Sequence, residues 1–287
     1  MTKSQTKPSA SRVWFITGCS SGLGRLLAEE VLKSGDKVVA TARNIGTIAG
    51  LEKQYPKTAR ALSLDVTHHD QIKTAVEQAL DHFGHIDVLV NNAGYGLMGA
   101  IEELQDDEIA REIETNVYGV INVTRALLPH LRARRSGHIL NLSSIAGIIA
   151  TPGLGLYNLT KFAVEGFSEA LSMELAQLGV KVTIIEPGPF RTEFLAGSAV
   201  FTKNRIADYD ATAGKVRDNL AGAAGSQKGD PLKAVHAMMQ VVASPEPPLR
   251  LLLGAAAFRR FRDKINLLER DAKAWESVTL AADFPDE

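Results

Sequence analysis

Cysteine is almost absent from this chain, and so are long apolar runs and an excess of charge of one sign. The one cysteine, Cys19, excludes an internal disulfide and fits a reducing compartment, so we expect a cytoplasmic protein. No run of about eighteen apolar residues occurs, which argues against a transmembrane helix. The formal net charge is −1, which leaves no electrostatic footprint for nucleic acid or an anionic membrane.

Metal-binding and targeting patterns are also missing. The seven histidines include His68 and His69, but neither a cysteine cluster nor an H-E-x-x-H pattern accompanies them, so we expect no metal site. Cys19 lies in a glycine-rich stretch, where a small residue filling a tight loop is favoured over a reactive thiol. Residues 1–12 are polar and slightly basic, which predicts a disordered tail and neither a signal peptide nor an anchor.

What the chain does have is a regular alternation of apolar runs and helical patterns over residues 13–253. Hydrophobic residues make up 45% and charged residues 23%, and no Pro/Gly/Ser-rich linker divides the chain, so we expect one domain. The predicted strands are 13–17, 37–41, 61–65, 88–91, 138–142, 181–186 and 250–253. Such alternation predicts an α/β fold: a doubly wound Rossmann-type domain with a seven-stranded parallel sheet and helices on both faces. Its ligand crevice would lie at the carboxyl ends of the strands.

A glycine loop follows the first apolar run, where residues 17–24 read TGCSSGLG. Glycines allow the backbone to approach a ligand closely, and the start of the following helix favours a pyrophosphate, although a plain glycine-rich turn is the alternative. Residues 18–22 also satisfy the G-x-S-x-G pattern of a hydrolase. That elbow needs an oxyanion donor after an earlier third strand, and only twelve residues precede this first strand. A P-loop is excluded because Arg25 and Leu26 follow Gly24 in place of Lys and Ser or Thr.

Tyr157 and Lys161 are four residues apart, about one turn of a helix, so their side chains project from one face. A nearby cation stabilises a phenolate and brings a tyrosine toward a working pKa for proton transfer. The spacing alone is weak evidence, because a pair on a helix surface shows the same pattern.

Together these motifs resemble those of the short-chain dehydrogenase/reductase family over roughly residues 13–200. Further motifs occur in the family's order: Asp65 after an LSL run, NNAG at residues 91–94, Asn116 in NVYG, Ser144 thirteen residues before Tyr157, and Pro187-Gly188 after the sixth strand. The resemblance implies the catalytic residues Asn116, Ser144, Tyr157 and Lys161. Tyr157 would exchange the proton, Lys161 would lower its pKa and hold the nicotinamide ribose, and Ser144 would polarise the carbonyl. Asn116 would hold a water relay to the lysine, and Ser143 competes with Ser144 for its role.

The cofactor preference is expected at the end of the second strand. An acidic residue about 20 positions beyond the glycines binds the ribose of NAD, whereas an arginine accommodates the phosphate of NADP. Arg43 lies nineteen positions after Gly24 with no carboxylate between Val38 and Asn44, which predicts NADP(H), unless this arginine is merely exposed. The complete predicted cofactor-binding set is Gly18, Ser20, Ser21, Gly22, Leu23, Gly24, Arg43, Asp65, Val66, Asn92, Ala93, Gly94, Tyr157, Lys161, Pro187, Gly188 and Thr192.

The substrate side is predicted from apolar residues next to the family motifs, although each can equally belong to the core. The candidates are Leu97, Met98, Ile145, Leu154, Phe190 and Phe194, with Leu195 beside them. Residues 190–230 hold short apolar runs between glycines, which indicates a mobile substrate loop.

Residues 254–287 are predicted to form an amphipathic helical extension packed on the domain. Its apolar stripe is Phe258, Phe261, Ile265, Leu268, Ala272 and Trp275. Docking on the domain or on a partner subunit is favoured over a membrane surface, because acidic residues interrupt the basic start of the helix. The family commonly assembles through the helices that carry Asn116 and Tyr157, so we expect a homodimer or homotetramer.

These observations predict an NADP(H)-dependent carbonyl reductase or alcohol dehydrogenase. It would transfer hydride between nicotinamide and a small apolar ketone, aldehyde or secondary alcohol, with Tyr157 as the general acid and base. The alternative is a catalytically silent, dinucleotide-sensing regulator of the same fold. The presence of all four catalytic residues argues against that alternative, since a sensor has no need of all four.

Overall fold

The computed structural model of this protein describes residues 11–284, so the predicted tail lies almost wholly outside the described residues. Of that tail, Ser11 and Arg12 are included, and the Arg12 backbone N–H donates to Asp36 Oδ1 at 2.9 Å. None of the helices within residues 11–284 is long and apolar enough to cross a membrane.

A parallel sheet of seven strands forms the centre of the molecule. The strands of the described chain are β1 (Val13–Ile16), β2 (Lys37–Ala42), β3 (Ala59–Ser63), β4 (Val88–Asn91), β5 (Gly96–Met98), β6 (Gly137–Leu142), β7 (Val180–Pro187), β8 (Ala199–Phe201) and β9 (Arg250–Leu253). The sheet has the order β3-β2-β1-β4-β6-β7-β9, and all its pairs are parallel. This confirms the predicted doubly wound sheet, with its third strand two residues earlier than expected.

Helices cover both faces of the sheet, as predicted. They are α1 (Gly22–Lys33), α2 (Ala49–Gln54), α3 (His69–Phe83), α4 (Asp106–Ile113), α5 (Gly119–Arg134), α6 (Gly155–Leu175), α7 (Lys215–Gly222), α8 (Pro231–Ala243), α9 (Ala255–Ala274) and α10 (Glu276–Leu280). Helices α1, α2 and α8 contribute to the core on one face, and α3, α5 and α6 to the core on the other. Within β1, Trp14 and Ile16 join the first core while Val13 and Phe15 join the second, so the strand is apolar on both sides.

Residues 190–230, predicted as a mobile substrate loop, contain short elements of secondary structure, and one buried carboxylate contacts several of their residues. β8 pairs in parallel with β5, and α7 follows. Arg217 of α7 lies 3.0 Å from Glu103 Oε2, with side chains 3% and 1% exposed. Glu103 also accepts hydrogen bonds from the backbone N–H of Ile206 and, at its carbonyl, from Thr202 and Asn204. Residues 202–217 are therefore tied to the domain at Glu103, because a buried ion pair needs both partners in place.

The C-terminal extension is helical, but only its beginning contacts the domain. α9 packs beside β9 and the turn at residues 145–147, where Ala257 is buried and Arg260 Nη2 donates to Thr151 Oγ1 at 2.7 Å. From Asn266 to Phe284 every residue is exposed. This differs from the prediction that the extension packs on the domain, because a straight helix of this length continues past the edge of the protein.

Candidate active site

The predicted site residues gather along the carboxyl ends of four neighbouring strands. The glycine loop follows β1, residues 92–94 follow β4, Ser143 and Ser144 follow β6, and Gly188 follows β7. β1, β4, β6 and β7 are adjacent in the sheet. The topology therefore brings motifs from distant parts of the sequence into one crevice, as expected for an open α/β sheet.

The glycine loop packs so closely on residues 92–93 that Gly18 and Gly24 have no room for side chains. Gly18 has φ +72°, and a Cβ there would lie 2.8 Å from Ala93 Cα, whereas a Cβ at Gly24 would overlap Asn92 Nδ2. Asn92 Nδ2 donates to the carbonyls of Thr17 and Gly18 at 2.8 and 2.9 Å. Thus Asn92 holds the loop in shape, and it does so together with a residue that the sequence analysis missed. That residue is Thr17, whose hydroxyl accepts the N–H groups of Asn92 and Ala93.

The start of α1 fits a pyrophosphate group. Ser20 and Ser21 are exposed there. Ser21 has an extended backbone, and its side chain makes no capping hydrogen bond to the start of α1. Gly22 has φ +59°, and a Cβ there would meet nothing within 4 Å, so this side of the turn is open. Leu23 instead packs against the core. Open space beside the first N–H groups of a twelve-residue helix is the arrangement that favours a bound anion.

Arg43 lies exposed directly after β2. Within residues 11–284 its guanidinium takes part in no ion pair shorter than 4.0 Å, and its carbonyl accepts the Ser63 hydroxyl. The nearby loop is held by Arg25, which was not predicted and which donates to the Thr47 carbonyl at 2.8 Å. A guanidinium on a fixed backbone at this strand end has the charge and geometry to bind a phosphate.

Asp65 and Val66 lie in the turn between β3 and α3. Burial opposes ionisation of Asp65, but hydrogen bonds from the Thr67 N–H and hydroxyl outweigh it and hold the pKa of this carboxyl below its usual value. Val66 is buried against Gly119, where a Cβ would lie 2.7 Å from Val66 Cγ2. Asp65 is therefore charged at neutral pH.

Asn116 lies in a widened helical turn, Glu114–Tyr118, between α4 and α5. Its Oδ1 accepts the Tyr95 N–H at 3.0 Å, and its Nδ2 donates to the Tyr95 carbonyl at 2.7 Å and to Thr160 Oγ1 at 3.2 Å. A Cβ at Gly94 would lie 2.9 Å from Asn116 Oδ1. Asn116 thus joins the segment after β4 to α6, and wide turns of this kind are frequent at functional sites.

Glu112, a residue the sequence analysis missed, is fully buried one turn before Asn116. Its Oε1 accepts from Asn116 Nδ2 at 3.3 Å, and burial raises its pKa from 4.5 to about 8, against the opposing effect of Lys161. An acidic residue four positions before the motif asparagine was a visible signal, but helical periodicity does not say which face is buried.

Tyr157 and Lys161 project from one face of α6, as predicted. Lys161 Nζ lies 5.6 Å from the centre of the Tyr157 ring and donates to the Leu142 carbonyl at 2.8 Å. Burial lowers the pKa of Lys161 to about 8, opposed by Glu112 and Glu165. Burial also raises the pKa of Tyr157 above its usual value, and the Ser144 side chain opposes that rise. Burial is the dominant influence on this pKa, and its lowering by Lys161 stays a prediction.

The two serines after β6 have different surroundings. The Ser144 side chain accepts the Ala146 N–H at 3.1 Å and donates to the Pro187 carbonyl at 3.4 Å, and it is near enough to Tyr157 to oppose the rise of that pKa. Ser143 is buried next to Gly147 and Glu165, and its hydroxyl has no hydrogen-bond partner among the described residues. This placement supports Ser144 over Ser143 as the neighbour of the tyrosine.

Of the predicted substrate residues, Phe194 has the most direct relation to the tyrosine. The rings of Phe194 and Tyr157 are 5.8 Å apart, and both come within 3.2 Å of a Cβ placed at Gly96. Leu154 and Leu195 are half-buried and Ile145 is buried. Thr192 accepts the Phe194 N–H at 3.3 Å, and Gly188 donates to the Leu253 carbonyl at 2.9 Å, which fixes the start of this segment.

Three other candidates belong to the packing of the protein. Leu97 and Met98 are each 1% exposed, and Leu97 packs in a small cluster with Leu104 and Leu156. Phe190 pairs with Gly229 and packs on the core between the sheet and α8. Leu97 and Met98 are thus covered by the protein itself, whereas Phe190 is half-buried, and the place of these three in the pocket stays a prediction.

In the part of the chain that the structure describes, no group of three or more His, Cys, Asp or Glu side chains could hold a metal ion. Cys19 is buried, and burial raises the pKa of its thiol to about 12. This protonated thiol fits the small-residue role expected from the sequence.

Comparison with known proteins extends this picture. Residues 12–200 match the family model described as short chain dehydrogenase. The oxidoreductase BOA17 of Botryotinia fuckeliana is 39% identical over 95% of this chain and 99% of its own length. The 3-ketodihydrosphingosine reductase of Bacteroides thetaiotaomicron is 36% identical over 85% and 88%, respectively.

Solved structures agree with the sequence relatives. A short-chain dehydrogenase from Streptomyces avermitilis is 39% identical, with a TM-score of 0.90 over 96% of this chain and 100% of its own. A family member from Burkholderia phymatum in complex with NAD is 25% identical, with a TM-score of 0.78 over 90% and 95%. ElxO with NADP bound is 27% identical, with a TM-score of 0.71 over 87% and 99%. With its parallel sheet, its glycine loop and its Tyr157–Lys161 pair, this chain therefore belongs to the short-chain dehydrogenase family of oxidoreductases.

Proposed function

We propose that this oxidoreductase uses NADP(H) to interconvert apolar ketones or aldehydes and their alcohols, with Tyr157 as the general acid and base. The observation that carries the proposal is the position of the Tyr157 hydroxyl. It is buried beside Ser144, one helical turn from Lys161, at the carboxyl ends of β4 and β6. A nicotinamide cofactor, when bound, supplies the hydride for reduction or accepts it in oxidation.

The side chains of the site divide the remaining work. Burial keeps the Tyr157 hydroxyl protonated at neutral pH, which suits it to donate a proton to a carbonyl oxygen. Ser144 donates a hydrogen bond to the same oxygen and so favours the transition state, in which negative charge develops there. Lys161, with its pKa near neutral, restores the proton lost by the tyrosine in concert with Asn116 and its neighbours.

NADP(H) is favoured over NAD(H) by the charge at the end of β2. Arg43 is exposed, and no carboxylate follows Val38 before the turn at Asn44. Related solved structures contain either cofactor, so the preference rests on this residue. Ser21, exposed at the start of α1, can add a hydroxyl donor to the same phosphate.

The preference for an apolar substrate rests on Phe194, Leu154 and Leu195, the first and last of which lie in the segment of residues 190–230. These side chains are only half-buried, so a ligand that covers them gains about 25 cal/mol per Å² of apolar surface. One relative is named as a reductase of 3-ketodihydrosphingosine, and that name supports a ketone with a long apolar chain.

Assembly through α5 and α6 is part of the proposal. The outer surface of these helices exposes Tyr118, Leu159, Phe162 and Met173, and the exposed Gly166 and Ala170 allow close approach. Leu171 and Leu175, in contrast, belong to the core. We expect a homodimer or homotetramer in analytical ultracentrifugation. Cytoplasmic location stays a prediction from the single cysteine.

The experiment that tests the function follows NADPH absorbance with a panel of methyl ketones, aryl ketones and keto acids, with NADH in parallel. Turnover of apolar ketones with NADPH supports the proposal. If NADPH binds, as seen by quenching of protein fluorescence, but no carbonyl compound or alcohol in the panel reacts, the catalytic proposal is wrong. The result would then favour the catalytically silent, dinucleotide-sensing regulator.

A further inference from the structure

The second half of α9 extends into solvent, with every residue of the helix from Asn266 onward exposed, although it carries an apolar stripe. Leu268 is 51% and Trp275 63% exposed, and Phe258 is 58% exposed at the base of the helix. The whole of α9 spans about 30 Å. An isolated helical segment shorter than about 12 to 15 residues is marginal in water, so this half needs a neighbour to cover it.

The stripe has the spacing of a helix pair. Phe258, Ile265 and Ala272 recur every seven residues, and Phe261, Leu268 and Trp275 recur every seven residues three positions later. Apolar residues in this pattern form the a and d positions of a coiled coil. Phe261 and Ile265 are half-buried at the edge of the domain, and the stripe continues from them into solvent.

Charge is distributed unequally along the same helix. Between residues 259 and 264 there are four basic residues and one acidic residue, whereas residues 269–276 contain three acidic and two basic residues. The residues that flank the stripe are Arg262 and Lys264 in the first half and Glu269 and Asp271 in the second half. Arg262, Glu269 and Asp271 are exposed and Lys264 is half-buried, and none of the four takes part in an ion pair within the described chain except Asp271, which meets Arg270.

We propose that α9 is an interface with a second copy of this chain, in which two α9 helices pack antiparallel along the stripe. Antiparallel packing places an a position opposite a d position. Ile265 then faces Leu268 of the second copy, Phe261 faces Ala272, and Phe258 faces Trp275. Each apolar residue of the stripe is covered in this register.

The same register matches the charges on both sides of the stripe. Arg262 comes next to Glu269 of the second copy, and Lys264 comes next to Asp271. Because the arrangement is symmetric, each pair occurs twice, and no flanking position faces a like charge. Close pairs of opposite charge select the partner and its orientation, as flanking charges do in coiled coils.

A second copy fits this surface better than a membrane does. A membrane-bound helix needs a charged face separated from an apolar face, with basic residues along the polar side. Here Glu269, Asp271 and Glu276 lie in the half of the helix that is farthest from the domain. A partner helix running in the opposite direction supplies basic groups to this half.

The proposal is tested by the mass of the full-length protein in sedimentation-equilibrium ultracentrifugation. Arg262→Glu combined with Lys264→Glu is expected to halve the mass of the assembly. Arg262→Glu, Lys264→Asp, Glu269→Arg and Asp271→Lys together restore complementary pairs and are expected to restore the wild-type mass. Arg259→Glu makes the same kind of charge change on α9 away from the stripe and is expected to change nothing.

Cross-linking tests the direction of the helices. Phe261→Cys and Ala272→Cys variants, each mixed only with itself, should give no covalent dimer with a short bismaleimide, because identical positions are about 16 Å apart along the helix axes, whereas a mixture of the two should. Cys19 is buried and does not compete. A monomeric wild type, an unchanged mass in the Arg262/Lys264 variant, or cross-linking of each single variant with itself would overturn the proposal. Co-sedimentation of a monomeric wild type with anionic phospholipid vesicles would assign the stripe to a membrane instead.

Discussion

Glu112 and Asn116 lie one helical turn apart, with Oε1 of the acid 3.3 Å from Nδ2 of the amide, and both side chains are buried. The other carboxylate oxygen of Glu112 has no hydrogen-bond partner in the described chain. Burial therefore keeps this carboxyl group protonated at neutral pH, with its pKa raised to about 8. A protonated acid thus lies behind the asparagine that contacts both the segment after β4 and the helix of Tyr157.

The first prediction concerns the pH dependence of stability. The folded pKa of Glu112 is higher than the unfolded value, so between pH 4.5 and about 8 the folded protein retains a proton that the unfolded chain releases. The contribution of Glu112 to the free energy of unfolding should therefore fall as the pH rises through this range, by up to about 1.4 kcal/mol per pH unit. Glu112→Gln removes this contribution, so the variant should gain on the wild type with rising pH in urea unfolding.

Glu114→Gln is the control for that experiment, because Glu114 is exposed on the same turn. Its stability should follow the wild-type curve at every pH. Glu165 and Glu186 also have raised pKa values through burial, but they are present in all three proteins. Parallel curves for the wild type and Glu112→Gln would mean that Glu112 is ionised in the folded state.

The second prediction separates proton transfer from cofactor binding. Tyr157→Phe should lower kcat by about 10² to 10⁴, the usual contribution of a general acid, and leave NADPH affinity nearly unchanged. Lys161→Ala should weaken both, because the ammonium group acts on tyrosine and cofactor. The measurements are steady-state kinetics and fluorescence titration with NADPH. Retention of more than about a tenth of wild-type kcat in Tyr157→Phe would make another residue the acid.

The third prediction concerns Arg43 and cofactor choice. Arg43→Asp should lower NADPH affinity at least about tenfold and shift the preference toward NADH, because a charge-assisted hydrogen bond contributes roughly 1.5 to 3 kcal/mol. Arg132→Asp makes the same change on the exposed surface of α5 and should leave the ratio unchanged. A wild type that uses NADH as well as NADPH would show that Arg43 is simply an exposed residue.

The fourth prediction concerns the buried ion pair between Arg217 and Glu103. Arg217→Met leaves the buried Glu103 carboxylate without its ion pair, which costs about 3 to 5 kcal/mol when a buried pair loses one partner. Amide hydrogen exchange in residues 199–222 should accelerate, and the effect should be smaller elsewhere. Arg205→Met breaks the exposed pair with Asp218 and should change stability by less than about 1 kcal/mol. Equal effects of the two variants would contradict the assignment of Glu103 as the residue that ties residues 202–217 to the domain.

The fifth prediction distinguishes pocket from core among the phenylalanines. In the wild type, each methylene added to a methyl ketone should raise kcat/KM by up to about fourfold, corresponding to about 0.8 kcal/mol, until the pocket is full. Phe194→Ala should flatten this dependence, since its ring lies 5.8 Å from that of Tyr157. Phe190→Ala should keep the dependence but lower the unfolding temperature, because Phe190 packs on the core. The reverse result would return Phe190 to the pocket.

The strands and the catalytic pair could be predicted from the sequence because both depend on local spacing. A short continuous apolar run of β-formers before a glycine loop, such as Val13–Ile16, favours a strand covered on both faces, and Tyr157 and Lys161 share a face whatever packs around them. The glycine loop could likewise be predicted, since the positive φ at Gly18 and the close packing at Gly24 both require glycine in the sequence.

Burial, in contrast, was decided only by the tertiary structure. Leu97 and Phe194 look alike in sequence, yet the first is enclosed by Leu104 and Leu156 and the second lies beside Tyr157. The pairing of Glu103 with Arg217 joins residues 114 positions apart, and no local pattern predicts it. The same holds for the pKa values of Tyr157 and Glu112, because burial depends on which distant segments cover a side chain. Local periodicity thus determined the elements and the chemistry of this protein, whereas long-range packing decided which side chains are charged, covered or free to meet a partner.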